Sequence, residues 1–160
     1  MTAKSKECRL IGVISDTHGL LRPSAIEALK GVDLIIHAGD IGRPIVIATL
    51  REIAPVFSVR GNMDRDDWAR ELPATEVVPC GEVLIYVLHS IDDLDLDPTA
   101  SGFHAVISGH SHRPSIKQRD GVLYLNPGSA GPRRFNLPIS LALLAVDGHS
   151  LDARLIELEP

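Results

Sequence analysis

A carboxylate and an imidazole, Asp16 and His18, stand two residues apart where the apolar run Leu10-Ile11-Gly12-Val13-Ile14-Ser15 ends. Side chains at i and i+2 of an extended backbone share a face, and Gly19 lets the chain turn away behind them. Carboxylate oxygen and imidazole nitrogen together suit a divalent transition metal. The same event recurs along the chain. Leu34-Ile35-Ile36-His37-Ala38 ends in Gly39-Asp40, Val56 to Val59 leads into Arg60-Gly61-Asn62, Val83 to Leu88 runs into His89, and Ala105 to Ser108 runs into Gly109-His110-Ser111-His112. One such junction is easily a turn or a helix cap. An ordered series of them, each delivering oxygen or imidazole donors beside a glycine, points to a metal site at strand ends, where open α/β sheets bind ligands.

The elements that must carry these residues are legible in the apolar pattern. Arg22-Pro23-Ser24 opens a short helix running to Gly31, and Pro44 opens a second carrying Ile45, Ile47, Ala48 and Leu50. Strand, helix, strand, helix, strand at this spacing predicts a parallel α/β half. Glu76 to Pro79 and Val83 to Leu88 flank Cys80-Gly81-Glu82 as a hairpin. The acidic stretch Ile91 to Pro98 reads as a loop, with one short helix from Pro98. Ala105 to Ser108, Ser115 to Arg119 and Val122 to Leu125 follow as short strands, the last two turning at Asp120-Gly121. Leu141 to Val146 and Leu151 to Ile156 close the chain around Asp147-Gly148. The expected architecture is an α/β sandwich (αββα): two sheets face to face, the first mostly parallel, with helices outside.

Composition narrows the function classes. A chain of 160 residues, 44% hydrophobic and 23% charged, fits one domain spanning 1–160 with a proper core. Aromatics are only 4%, so aliphatic side chains must fill the interior. A formal charge of −5 argues against broad nucleic-acid binding, which leaves a basic footprint. Met1 to Arg9 is polar and unlike a secretory leader, and no apolar run approaches a membrane span. Cys8 and Cys80 lie far apart with no Cys-x-x-Cys, which reads as free thiols in a reducing compartment. The expectation is a cytoplasmic protein, with a homo-oligomer left open.

The ordered motifs Ile14-Ser15-Asp16-Thr17-His18-Gly19, Ile36-His37-Ala38-Gly39-Asp40, Val59-Arg60-Gly61-Asn62, His89, Gly109-His110-Ser111-His112 and Asn126-Pro127-Gly128-Ser129 closely resemble the calcineurin-like metallophosphoesterases. They are most similar to the short, single-domain prokaryotic phosphodiesterase branch, and the likeness runs from Ile11 to about Pro138. The resemblance implies two divalent ions, with Mn expected and Fe, Zn, Ni or Co compatible with the donor set. Asp16, His18, Asp40 and His112 would hold one ion, and Asp40, Asn62, His89 and His110 the other, Asp40 bridging. It further implies hydrolysis of a small phosphoester, a diester rather than a monoester, through in-line attack by a metal-bridging hydroxide. No enzyme nucleophile is needed, and Pro127-Gly128-Ser129-Ala130-Gly131 lacks the glycine of a nucleophile elbow.

Two departures stand out. Many family members place a His, thought to help protonate the leaving oxygen, where this chain has Met63, and the short branch often has Cys there. His89 is followed by Ser90 and an acidic loop rather than by Gly. A second reading comes from the eukaryotic retromer subunit of this fold, which resembles the same branch and works by binding partners with an altered metal set. No ligand position is replaced here, which favours the enzyme. A metal hydrolase of the amidohydrolase barrel type expects His-x-His near its start and a longer chain. His37 and Asp64 are expected just behind the ligands, His37 as a hydrogen-bonded core histidine and Asp64 either orienting a ligand such as His89 or opening a turn. His104 and His149 read as surface or turn residues. Arg133 and Arg134 read as solvated rather than as meeting a substrate phosphate, and Asp92, Asp93, Asp95 and Asp97 lack the spacing of an EF-hand.

Overall fold

The computed structural model describes residues 8–160, so most of the polar Met1 to Arg9 stretch lies outside the described residues. Among the described residues, ten strands form two five-stranded sheets. In the first, β1 (Leu10–Ile14), β2 (Leu34–His37) and β3 (Val56–Ser58) are parallel neighbours. The crossovers between them are α1 (Pro23–Ala28) and α2 (Pro44–Arg51), each beginning at proline, whose missing N–H costs nothing in a first helical turn. On the other side of β1 lie β9 (Ser140–Asp147) and β10 (Ser150–Glu157), both antiparallel to their neighbours. The first sheet is therefore mixed rather than mostly parallel, because the closing hairpin docks on β1.

The second sheet has the order β4, β5, β6, β8, β7. Its strands are β4 (Thr75–Cys80), β5 (Val83–Leu88), β6 (Ala105–Ile107), β7 (Ser115–Arg119) and β8 (Val122–Asn126). Here β5, β6 and β8 are parallel, with antiparallel strands at both edges.

Period-two alternation sorts the side chains. Ile11, Val13, Ile36 and Leu144 meet Val83, Ile85, Ile107 and Leu125 between the sheets. On the far side of the first sheet, Ile14, Ile35 and Leu141 pack against Ala25, Leu29, Val46 and Leu50 of the helices. The outer face of the second sheet is covered by irregular chain instead: Leu94, Leu96 and Phe103 lie over Tyr86, Leu88 and Val106. The helix expected from Pro98 does not form. Residues 98–102 make a turn in which Phe103 N–H donates to the Pro98 carbonyl at 2.9 Å, and Gly102 at φ 83° reverses the chain. A 3-10 turn at Asp67–Glu71 is an addition to the sequence reading.

Cys8 and Cys80 are not free thiols. They form a disulfide across 72 residues, with Cα atoms 5.3 Å apart. The lead into β1 and the end of β4 belong to different sheets, and only face-to-face packing brings them together. Spacing in sequence carries no trace of that contact, and the thiol argument for a reducing compartment falls with it. Among the described residues, no helix is long and apolar enough to cross a membrane.

Candidate metal centre

The parallel strands of both sheets end along one edge of the sandwich, and the candidate ligands gather there. Backbone bonds lace the strand ends together: Asp16 N–H donates to the Gly39 carbonyl, His18 N–H to that of Asp40, and Gly109 N–H to that of His89, all at 2.9 Å. Asp16, His18, Asp40, His110 and His112 all adopt left-handed backbone, with φ between 47° and 70°. Such a conformation costs about 1–2 kcal/mol for each non-glycine residue and persists only where surroundings enforce it. Room for these turns comes from side chains that are absent. A Cβ on Gly61 would collide with the Asp40 carboxylate, and one on Gly109 with the Ser15 hydroxyl and Asp16.

The two carboxylates are held alike. Asp16 is fully buried. Its Oδ2 accepts the Ser15 hydroxyl at 2.6 Å and the His110 N–H at 3.0 Å. Its Oδ1 has no hydrogen-bond partner, yet faces His112 Nε2 at 3.4 Å, His18 Nε2 at 3.9 Å and His89 Nε2 at 4.0 Å. Asp40 Oδ1 accepts the Met63 N–H at 2.9 Å, while Oδ2 faces His89 Nε2 at 3.3 Å and His18 Nε2 at 3.8 Å. One oxygen of each acid is thus tied to the protein and the other aimed at imidazoles. Buried His18 Nε2 and His112 Nδ1 also lack partners.

Asn62 joins from the far side. Its Oδ1 lies 2.9 Å from His89 Nε2 and 3.2 Å from His110 Nδ1. His89 Nδ1 donates to the Ala38 carbonyl at 2.7 Å, so neutral His89 presents the lone pair of Nε2 to Asn62 and Asp40. Lone pairs converging this way need a cation between them, either a proton or a metal. Burial alone would lower the His89 pKa, but the Asp40 carboxylate and the Ala38 carbonyl outweigh it and raise it. Burial likewise pushes Asp16 up, and the partners His112, Ser15 and His89 bring it below the ordinary carboxylate value. For Asp40, burial is outweighed by His89 and the Met63 N–H, and the pKa again falls.

Among the described residues, two groups of donors are close enough to hold an ion each: Asp16, His18 and His112, and Asp16, Asp40 and His89. Asp16 belongs to both, whereas the sequence reading gives only Asp40 to both. Because Asp40 Oδ2 faces imidazoles of both groups, the two carboxylates together form the seam between them.

Behind this layer, His37 is fully buried. Gly39 N–H donates to its Nδ1 at 3.1 Å, so the proton sits on Nε2 and donates to Thr17 Oγ1 at 3.0 Å. The Thr17 hydroxyl passes on to the Ile41 carbonyl at 2.8 Å. Burial pushes the His37 pKa down to about 4. This chain fixes Thr17 between Asp16 and His18. Asp64 makes no hydrogen bond to His89 among the described residues. Its carboxylate accepts N–H groups of Ile41, Gly42 and Gly61 at 3.0–3.1 Å, stitching the Asp40 loop to the Asn62 loop.

Sequence reasoning gave no role to several positioning residues. Ser15 holds Asp16 Oδ2, Ser129 Oγ donates to the Asp16 carbonyl at 3.1 Å, and Asn126 Nδ2 donates to the Gly109 carbonyl at 3.0 Å. Their motifs were visible, but which loop each would reach depends on the sandwich. His104 and His149 stack at 5.3 Å away from these donor groups, His149 facing Glu82 at 3.5 Å. Arg133 and Arg134 are exposed. Met63 is 56% exposed, and its backbone N–H donates to Asp40.

A strand-end cluster of carboxylates and imidazoles on a two-sheet α/β scaffold defines the class: a metallophosphoesterase fold. Residues 10–149 match the calcineurin-like phosphoesterase superfamily domain, and the chain belongs to that family. A relative described as a probable metallophosphoesterase, from Methanothermobacter thermautotrophicus, is 36% identical over 159 residues, covering 92% of this chain and 91% of its own. A phosphodiesterase of Methanocaldococcus jannaschii is 26% identical over 137 residues, covering 74% and 82%. The crystal structure of Chaetomium thermophilum Vps29 superposes with a TM-score of 0.76 at 21% identity, over 95% of this chain and all (100%) of that one, which shows the shared fold.

Proposed function

We propose that the chain is a dinuclear-metal phosphodiesterase whose ligands are Asp16, His18, Asp40, Asn62, His89, His110 and His112, with Mn as the working metal. The observation that carries this reading is the paired arrangement of Asp16 and Asp40, each with one oxygen fixed by N–H or O–H donors and the other facing imidazoles. Bound divalent ions supply Lewis acidity for a phosphoryl group and lower the pKa of water at neutral pH.

The chain's own residues do the rest. Met63 N–H and Ser15 hold the carboxylates in place before charge develops on the phosphoryl oxygens. Beside the donors lies a cleft of about 620 Å³ lined by Arg60, Asn62, Thr75, His89, Ser90 and His110. Its size admits a diester, and Arg60 sets a cation at the rim for a phosphate oxygen. Met63 carries no proton to give. The acid that many family members place at this position is therefore missing, which predicts slow turnover or a preference for acidic leaving groups. The family membership and the phosphodiesterase relative support the same reading.

The test compares purified protein with Mn²⁺ on bis-p-nitrophenyl phosphate and on p-nitrophenyl phosphate. Faster hydrolysis of the diester, abolished in Asp40→Asn, is expected. Metal binding without turnover of either ester would transfer the chain to the partner-binding reading, in which the fold serves as a scaffold.

A further inference from the structure

The outer face of the second sheet holds a pocket of about 810 Å³ that is separate from the metal cleft. The register of β7 on β8 sets Lys117 opposite Tyr124 and Arg119 opposite Val122. These residues therefore share one face, and Arg113 joins them from the lead into β7. All three cations are exposed, and none of the three enters an ion pair among the described residues. In a chain of net charge −5, these three cations gather around one concavity. They repel one another, and an anion among them removes that cost.

The rest of the lining is of different chemistry. Ile91, Leu94 and the half-buried Tyr124 also line the pocket. A ring stacked on tyrosine and a phosphate held by guanidinium and ammonium groups match this division, and the volume is that of a small-ligand site.

The pocket shares a partition with the metal cleft. Ile91 and Leu94 line it, while Ser90, Asp92 and Asp93 of the same segment line the cleft. Ser111 lines it too, between His110 and His112. Asn126 Nδ2 ties the Ser111 hydroxyl, at 3.1 Å, to the Gly109 carbonyl. The Asn126 Oδ1 accepts the Gly128 N–H at 2.9 Å, so this side chain braces the wall and leaves recognition to the cations and the ring.

We infer that this pocket is a second ligand site, for a nucleoside monophosphate, built from Arg113, Lys117, Arg119 and Tyr124. The site does not depend on the phosphoesterase reading, since none of these residues is among the proposed metal ligands.

The test is isothermal titration of adenosine monophosphate into the full chain in EDTA, where the metal cleft cannot hold phosphate through an ion. One molecule bound per chain is expected. The double variant K117A/R119A should weaken binding about tenfold or more, as loss of charge-assisted contacts does. R113A should weaken it as well, and Y124L should weaken adenosine monophosphate while leaving inorganic phosphate unchanged. Thermal unfolding of each variant confirms that it is folded. No binding in EDTA, binding that requires added Mn²⁺, or affinity unchanged in both cation variants would each overturn the inference. Failure here leaves the diesterase test untouched, because that test reads turnover with metal present.

Discussion

Acidification should destabilise this protein through His37 before its carboxylates are protonated. The imidazole is fully buried and committed as a neutral ring, accepting the Gly39 N–H and donating to Thr17. Its pKa falls from the ordinary 6.5 to about 4. The unfolded chain takes up that proton near pH 6.5 and the folded chain only near pH 4. In that window the unfolded state binds more protons, so stability falls as pH falls. A displacement of that size corresponds to about 3 kcal/mol, lost between pH 6.5 and pH 4. The other shifted groups act elsewhere. His89 is raised, so it stabilises below pH 6.5 and its contribution is lost as pH rises through its folded value. Asp16 and Asp40 are lowered, so their contributions stand above 3.8 and are lost below it.

The assay is urea unfolding in EDTA from pH 7 to pH 4, comparing wild type with His37→Gln. Glutamine keeps a donor for Thr17 but leaves the Gly39 N–H without its acceptor, at a cost of about 1–3 kcal/mol at pH 7. It does not titrate. The wild-type advantage at pH 7 should shrink by about 3 kcal/mol on reaching pH 4. Parallel pH dependences for the two proteins would refute the reasoning, since His37 would then not be the group that titrates.

Three further outcomes follow from other contacts. Asp64→Ala frees the N–H groups of Ile41, Gly42 and Gly61; it should lower stability by about 1–3 kcal/mol and metal affinity about 10–100-fold, read by unfolding and by metal titration. Met63→His should raise the rate with poor leaving groups by up to about 10²–10⁴, and more with alkoxide than with nitrophenolate, in a leaving-group series. Reduction of the Cys8–Cys80 disulfide releases a loop of 72 residues and should cost about 4 kcal/mol, read as unfolding with and without dithiothreitol. A Cys80→Ser variant as stable as wild type would show that no bond forms.

The strand ends were readable because each couples two signals, an aliphatic run and a polar break, and both are local. That is why β1, β2, β3, β5 and β6 and the donors after them come straight from the sequence. What was not local was not readable. The docking of β9 on β1 makes the first sheet mixed, and Pro98 opens a turn because Gly102 reverses the chain. The Cys8–Cys80 bond and the reach of Ser129 to Asp16 exist only once two sheets face each other. Asp64 shows the same limit at finer scale. Its type and place beside Asn62 were visible, but stitching two loops, rather than orienting His89, is a property of the fold.

The central claim is that Asp16 and Asp40 form the seam of a two-ion site. Crystals grown with Mn²⁺ and measured at the manganese absorption edge test it most directly. The account predicts two anomalous peaks about 3.5–4 Å apart, one beside His18 and His112, the other beside Asn62, His89 and His110, with the Asp16 and Asp40 carboxylates between them. A single peak, or two peaks without both carboxylates between them, would contradict it.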